Sequence, residues 1–204
     1  MKKKWPLIVV IISTLILALI VVFIDSVNVS FFDSWFYTET TERMNPSLTL
    51  AMRFITESGS SVAVIILCLS LFLFAKTRKN WALPVGVSVV AVTISNILLK
   101  LVFVRERPNI LRLIDQTDYS FPSGHAMINM AFYTMLLLLA WQYIKNKKLK
   151  YGISFVCVMM PLLIGFSRIY LGVHYATDVI AGWLLGFVIA VIIFSIFKRK
   201  NDEV

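Results

Sequence analysis

The chain has 204 residues, of which 59% are hydrophobic and 15% charged, and its mean hydropathy is +0.83. This composition excludes an ordinary soluble domain, which carries roughly a quarter charged residues, and the long apolar runs indicate a single membrane domain over residues 1–204. The net charge of +9 does not indicate a nucleic-acid partner, because the lysines are clustered at the ends of apolar runs, where membrane topology places them.

Six apolar runs predict six membrane-spanning helices, since a span needs about 20 mostly apolar residues. The runs cover approximately residues 5–24, 60–75, 81–104, 126–144, 153–171 and 179–197. Three lysines precede the first run, as in a signal peptide, but the run is long and no small-residue cleavage site follows it. The first run is therefore expected to remain as a span, and the predicted fold is an all-α bundle of six helices.

The segment 25–59 between the first two runs is too long to be a tight turn. Its aromatic residues indicate an amphipathic helical piece that lies in the headgroup zone. Those aromatic residues are Phe31, Phe32, Trp35, Phe36 and Tyr37. They could instead contact a substrate.

The distribution of positive charge predicts the orientation. Thirteen Lys and Arg residues fall at the termini and in the loops that share their side, and seven fall on the opposite side. The positive-inside rule therefore places both termini in the cytoplasm. The mixed polar residues of the other loops are then expected at the extracytoplasmic face.

The first polar segment, K-L-V-F-V-R-E-R-P from Lys100 to Pro108, ends the third run. Lys100 and Arg107 are seven residues apart, so a continuing helix would place them on one face about two turns apart. Pro108 cannot continue that helix, so the chain is expected to leave the membrane near it. Taken alone, Lys100 could equally be a lysine that snorkels outward.

The second polar segment, F-P-S-G-H, ends at His125 just before the fourth run. Ser123 could cap the helix that follows, and Gly124 would let the backbone approach a ligand closely. The N-terminus of that helix would offer free N–H groups and a positive dipole end, which bind anions. Capping alone would explain Ser123 but would not require Gly124 and His125 beside it.

The third polar segment contains Ser167 and Arg168 and, further on, His174 and Asp178. His174 and Asp178 are four residues apart and share one face of a helix. The aspartate could hold one ring nitrogen protonated and leave the other as an acceptor or nucleophile. The competing interpretation is a metal-ligand pair. With two histidines, no H-E-x-x-H pattern and both cysteines inside apolar runs, no metal site is expected.

Together the three segments supply the groups that phosphoryl transfer requires. The cations Lys100, Arg107 and Arg168 would neutralise the phosphoryl oxygens, and arginine suits this because its planar fork binds two oxygens at once. Ser123 and Gly124 would donate hydrogen bonds. His174 and Asp178 would form a nucleophile pair, and His125 would be free to donate a proton.

The sequence resembles the type 2 phosphatidic acid phosphatase family of integral membrane phosphatases, which carries the motifs K-x6-R-P, P-S-G-H and S-R-x5-H-x3-D. Here they are Lys100 to Arg107-Pro108, Pro122 to His125, and Ser167-Arg168 to His174 and Asp178, in order and with the family's spacing. The motifs span residues 100–178, and the six-run layout extends the resemblance over nearly the whole chain. Its small size is similar to the bacterial phosphatidylglycerophosphatase B-like branch.

The resemblance implies metal-independent removal of phosphate, without a cofactor, through a phosphohistidine at His174. His125 would protonate the leaving alkoxide, and Asp178 would orient His174. The groups that bind the phosphoryl oxygens would be Lys100, Arg107, Arg168, Ser123 and Gly124. The resemblance also implies a multi-pass protein of the bacterial plasma membrane, whose partners are its lipid substrate and the bilayer, with no obligate protein partner.

The expected substrate is a lipid phosphate, because soluble haloperoxidases share the motifs but lack the six apolar runs. The branch resemblance alone favours phosphatidylglycerophosphate over undecaprenyl pyrophosphate, and a broad phosphatidate phosphatase is the further alternative. Two readings without hydrolysis, a transporter and an inactive lipid-binding scaffold, are disfavoured. The sequence shows neither inverted repeats nor interrupted helices, and no motif residue is missing.

Overall fold

The structure, a computed structural model, describes residues 5–24, 27–73, 78–109 and 111–202. These residues form eight α-helices and no strand, which confirms the predicted all-α class. The helices are α1 Trp5–Phe23, α2 Val27–Thr41, α3 Pro46–Ser58, α4 Ser61–Leu73, α5 Leu83–Phe103, α6 Gly124–Tyr143, α7 Lys147–Tyr170 and α8 Ala176–Asp202. A π-helical turn, Arg78–Ala82, leads into α5.

Four helical stretches among the described residues are long and apolar enough to cross a membrane. They are Lys79–Phe103, Gly124–Tyr143, Lys147–Tyr170 and Ala176–Arg199. Helices α3 and α4 qualify only as a pair bent by 45°, which would make a fifth, broken span, and Ile8–Phe23 is apolar but shorter. The structure therefore gives four spans, or up to five, and does not confirm the predicted count of six.

The segment 25–59 differs most from its prediction, because its described residues contain two helices and the second, α3, forms a bent pair with α4. Asn45 caps α3 by accepting a hydrogen bond from the backbone N–H of Leu48 at 2.9 Å. Gly59 ends the helix at a crowded place, where a Cβ would lie 2.6 Å from the side chain of Ile164. Its carbonyl accepts a hydrogen bond from Asn129 of α6 at 2.7 Å. The bend between α3 and α4 is thereby fixed against α6 and α7.

Helix α2 has one face toward the protein and one away from it, as an amphipathic helix would. Phe31 and Trp35 are 73% and 52% exposed, whereas Asp33 and Tyr37 are buried. The hydroxyl of Tyr37 donates to the carbonyl of Leu111 at 2.9 Å and ties α2 to the loop after α5. The location of the exposed aromatic residues in the headgroup zone stays a prediction, but the buried carboxylate was not predicted.

Helices α6 and α8 pack closely through two glycines of α8. A Cβ on Gly182 would lie 2.8 Å from the carbonyl oxygen of Ser123, and one on Gly186 would lie 2.3 Å from that of Met127. Small residues four apart allow helix backbones to approach in this way in membranes. The N-terminal ends of α6 and α8 are consequently adjacent, and the N–H of Ser123 donates to the carbonyl of Asp178 at 3.0 Å.

Candidate active site

The three predicted motif segments meet at one end of the bundle. Lys100 lies in the last turn of α5 and Arg168 in the last turn of α7. His125 is in the first turn of α6, Asp178 is in the first turn of α8, and His174 lies in the loop between α7 and α8. Contacts between the segments, described below, show that the structure brings the predicted site residues together.

The imidazole of His174 is buried, and its two nitrogens face different groups. Nε2 lies 3.1 Å from Nη1 of Arg107. Nδ1 lies 3.3 Å from the hydroxyl of Ser120 and 3.5 Å from Oδ2 of Asp178. Because a guanidinium can only donate, Nε2 is the acceptor and the proton belongs on Nδ1, toward Asp178. Burial lowers the pKa of His174 to about 4, so the ring is neutral at pH 7 and the electron pair of Nε2 is directed toward Arg107.

The carboxylate of Asp178 has no solvent exposure and is held by several donors. Oδ1 accepts a hydrogen bond from Nη1 of Arg105 at 2.5 Å. Oδ2 accepts hydrogen bonds from the hydroxyl of Ser120 and, at 2.9 Å, from the N–H of Tyr175. These donors fix the carboxylate in its ionised form beside Nδ1 of His174.

Lys100 and Arg107, the two cations of the first motif, converge on one carboxylate. Lys100 donates to Oδ2 of Asp118, and Arg107 donates to Oδ1 of the same residue at 2.6 Å. Burial by itself raises the pKa of Asp118, but the hydrogen bond and charge of Lys100, together with Arg107, outweigh it and lower the pKa to about 2. The two cations thus bind an anionic group between them, as a phosphate site would.

Arg168 and Ser123 have buried donors that no described residue of the chain satisfies. Nη1 of Arg168 donates to the hydroxyl of Thr56 at 2.8 Å. Its Nε and Nη2, like the hydroxyl of Ser123, find no hydrogen-bond partner among the described residues. Ser123 occupies the N-cap position of α6, yet its side chain makes no capping bond. Buried donors of this kind are costly unless water or a ligand satisfies them, and capping does not account for Ser123.

His125 and Gly124 begin α6 beside these cations. The His125 imidazole lies within electrostatic range of the cations Arg168, Arg107 and Lys100 and of the His174 ring. Gly124 has little room, because a Cβ there would lie 3.0 Å from Oδ1 of Asn96. Asn96 in turn donates to the carbonyl of Pro122 at 3.0 Å, so α5 shapes the loop that carries both residues.

Five polar residues of the site did not follow from the sequence. Asp33, Thr56, Arg105, Asp118 and Ser120 all contact a predicted site residue or its partner. Arg105 could have been found, because it lies two residues before Arg107 in the first motif segment. No sequence pattern indicated Asp33 as a site residue, since it is a single acid among exposed aromatic residues of a different helix.

The donor set of the site is cationic and does not resemble a metal centre. No group of three or more His, Cys, Asp or Glu side chains that could hold a metal ion occurs in the described parts of the chain. The two described cysteines are both free. An anion, not a cation, matches the charges that line the site.

Comparison with known proteins agrees with this geometry. The sequence model of the PAP2 superfamily matches residues 81–202. Phosphatidylglycerophosphatase B of Bacillus subtilis (strain 168) is 31% identical over 171 residues, which cover 78% of this chain and 78% of that protein. Undecaprenyl-diphosphatase BcrC of the same strain is 32% identical over 164 residues, 78% of this chain and 77% of that protein.

A solved structure is similar over almost the whole chain. The crystal structure of a transmembrane PAP2 type phosphatidylglycerolphosphate phosphatase from Bacillus subtilis superimposes with a TM-score of 0.80 at 25% identity. The superposition covers 97% of this chain and 98% of that chain. The chain therefore belongs to the PAP2 superfamily, and it is a multi-pass membrane protein and a lipid phosphatase. The resemblance seen in its motifs is confirmed.

Proposed function

We propose that this lipid phosphatase works through a phosphohistidine at His174. The observation that carries the proposal is the orientation of the ring, with Nε2 toward Arg107 and Nδ1 toward Asp178. A phosphoryl group held by Arg107 and the unpartnered donors of Arg168 and Ser123 would lie beside Nε2. Lys100 and the backbone at Gly124 would bind its remaining oxygens.

Two displacements complete the reaction. In the first, the electron pair of Nε2 forms a bond to phosphorus while the bond from phosphorus to the lipid oxygen breaks, and His125 donates a proton to that oxygen. In the second, water attacks the phosphohistidine, His125 takes a proton from the water, and the P–N bond breaks. Inorganic phosphate leaves and both histidines return to their starting forms. Asp178 stabilises the charge that the ring develops at Nδ1.

The phosphoenzyme can be tested directly. Rapid acid-free quenching after mixing with substrate labelled at its terminal phosphate should trap label on the protein, stable to base and released by acid. His174→Ala should abolish both the label and turnover while leaving the protein folded. Substantial turnover by this variant would remove His174 as the nucleophile.

Phosphatidylglycerophosphate is the proposed substrate, because the Bacillus subtilis relative and the superimposed Bacillus subtilis structure are both phosphatidylglycerophosphate phosphatases by name. Undecaprenyl diphosphate is the second candidate, because similarly related proteins are undecaprenyl-diphosphatases. A panel of purified lipid phosphates and diphosphates, compared by kcat/KM in vesicles, decides between them. A diphosphate preferred tenfold or more would reverse the proposal.

We also propose six spans in a bacterial plasma membrane, with α1 as the first and the α3–α4 pair as the second. Both termini would be cytoplasmic and the site extracytoplasmic, as the lysine and arginine distribution supports. The whole of 1–204 would be one phosphatase domain without an obligate protein partner.

Turnover should need no metal, so activity should survive EDTA and be blocked by vanadate. Loss of activity with EDTA, restored by a divalent ion, would contradict this.

A further inference from the structure

A chain of three charges, in which the partly buried guanidinium of Arg105 joins two buried carboxylates, runs from α2 to the catalytic end of α8. Nη2 of Arg105 lies 2.8 Å from Oδ2 of Asp33, and Nη1 lies 2.5 Å from Oδ1 of Asp178. The side chains of Asp33, Arg105 and Asp178 are 2%, 15% and 0% exposed. Removing three charges from water costs several kcal/mol per ion unless each is paired with good geometry, so this arrangement requires an explanation beyond helix packing.

Four side chains contact the guanidinium of Arg105. Besides the two carboxylates, Nη1 donates to the hydroxyl of Thr177 at 2.9 Å. The guanidinium also lies over the ring of Tyr175, 4.2 Å from its centroid. A planar fork can hold two carboxylates in set directions, which a lysine ammonium cannot do. Arg105 therefore determines where Oδ1 of Asp178 lies.

Asp33 holds the backbone that carries Asp178. Its Oδ1 accepts a hydrogen bond from the N–H of Thr177 at 2.9 Å, and its Oδ2 accepts one from the hydroxyl of Thr177 at 2.7 Å. Thr177 is in the first turn of α8, next to Asp178. A carboxylate at this position satisfies a free N–H and interacts favourably with the helix dipole, although it comes from another helix.

We infer that Asp33 and Arg105 are positioning residues for the catalytic pair, acting on His174 through Asp178. With Oδ1 of Asp178 bound to Arg105, Oδ2 is the oxygen that faces Nδ1 of His174. Helix α2 would thus belong to the catalytic apparatus, not only to the membrane surface. The inference rests on the proposed role of His174 as the nucleophile.

A positioning role for Asp33 and Arg105 predicts that their substitution lowers kcat with little change in KM. None of the contacts of Asp33 or Arg105 described above involves a phosphate-binding group, so substrate binding should be preserved. Asp33→Asn and Arg105→Gln should each lower kcat about 10- to 100-fold, as loss of a partner that orients an active-site ligand does. Arg105→Lys should retain an intermediate kcat, because it keeps the charge and loses the fork.

Matched controls lie on the same helix and just beyond it. Glu39 and Arg43 form an exposed ion pair of 3.2 Å, with side chains 45% and 78% exposed. Glu39→Gln and Arg43→Gln change the same kinds of charge at a surface site, where such pairs contribute little. Both should leave kcat and KM at the wild-type values.

The pH profile separates positioning from general destabilisation. His174 faces Arg107 of the loop after α5, His125 of α6, Arg168 of α7 and Asp178 of α8. In Arg105→Gln, the charge of Asp178 is less compensated and stabilises the imidazolium, so the acid limb of kcat/KM should move to higher pH. In Asp33→Asn, Arg105 compensates the charge of Asp178 more fully, so the limb should move to lower pH. A merely structural role would move neither limb.

The measurements use the full-length enzyme in lipid vesicles, with kcat expressed per vanadate-binding molecule so that misfolded protein is not counted. The isosteric Asp33→Asn serves as the decisive variant, because its amide oxygen can still accept from Thr177. Wild-type kcat in Asp33→Asn, with His174→Ala inactive, would overturn the inference and leave the proposed function standing. An active His174→Ala would instead overturn the proposed function, and this inference with it.

Discussion

The carboxylate of Asp118 accepts a hydrogen bond at 2.6 Å from Arg107, the same guanidinium that contacts Nε2 of His174. It also binds Lys100 through its other oxygen. A substrate phosphate that uses both cations must therefore displace a carboxylate of the protein. Asp118 lies in a loop and its side chain is 55% exposed, so it has room to move away.

Asp118→Asn should strengthen the binding of phosphate and vanadate, because an amide competes less well for the two cations. The expected decrease in Ki is up to about fivefold, equivalent to ~1 kcal/mol for an ion pair with a half-exposed partner. Inhibition of turnover by inorganic phosphate measures it. Asp115→Asn, an exposed acid of the same loop, is the control and should change nothing. Weaker inhibition in Asp118→Asn would show that the carboxylate organises the site.

The two histidines should respond differently to the leaving group. An aryl phosphate releases a stable phenolate that needs no proton, whereas a lipid alkoxide does. In His125→Ala, the rate of phosphoenzyme formation should therefore fall about 10²- to 10⁴-fold with the lipid substrate and far less with p-nitrophenyl phosphate. His174→Ala should lose activity on both substrates. Equal losses in the rate of phosphoenzyme formation with both substrates would indicate that His125 is not the acid.

The pKa of His174 also predicts a pH dependence of stability. Burial lowers this pKa to about 4, whereas an unfolded histidine titrates near 6.5. Between these values the unfolded chain binds the additional proton, so the contribution of His174 is fully present above about pH 6.5 and is lost as pH falls toward 4. The slope is at most about 1.4 kcal/mol per pH unit.

Denaturation midpoints in detergent measure this contribution. Wild-type protein should lose stability between about pH 6.5 and pH 4, and His174→Gln should lose less over the same range. His125 and the carboxylates are present in both proteins, so the difference isolates His174. Parallel curves for the two proteins would contradict the lowered pKa.

The close packing of α6 against α8 should determine the positions of the site residues at the N-terminal ends of these two helices. A Cβ on Gly186 would lie 2.3 Å from the carbonyl oxygen of Met127, a backbone atom that can yield only if the helices separate. Gly186→Ala should therefore cost about 1–3 kcal/mol and lower kcat, since the adjoining ends of these helices carry His125 and Asp178. Thermal unfolding in detergent, with turnover of the folded fraction, measures both effects.

Gly152 provides the matched control for that substitution. It lies within α7, and a Cβ there would meet nothing within 4 Å. Gly152→Ala should stabilise the protein by roughly 0.5–1 kcal/mol, because alanine loses less backbone entropy in a helix. Similar destabilisation by both substitutions would refute close packing as the cause at Gly186.

The sequence was sufficient to predict the helical class and to single out the histidines, cations and aspartate of the three motifs. His174 and Asp178 are four apart, and helical spacing predicted their proximity. The structure has them 3.5 Å apart, although His174 lies in the loop before α8 and not on the helix. Asp33 and Arg105 lie 72 positions apart in the sequence, and no local period relates them. Their contact depends on how α2 folds back onto α8, which is a property of tertiary packing. The bend at Gly59 likewise depends on Ile164, far along the chain.

Topology can be tested with single cysteines at two exposed loop positions, Asp115 and Lys145. The background would carry Cys68→Ala and Cys157→Ala, because both native cysteines are free thiols. Asp115→Cys should react with a membrane-impermeant maleimide in intact cells, and Lys145→Cys should react only after the membrane is permeabilised. These outcomes follow from the positive-inside rule, which puts the lysine-rich loop before α7 in the cytoplasm. Protection of position 115 together with labelling of position 145 would invert the orientation and place the histidines at the cytoplasmic face.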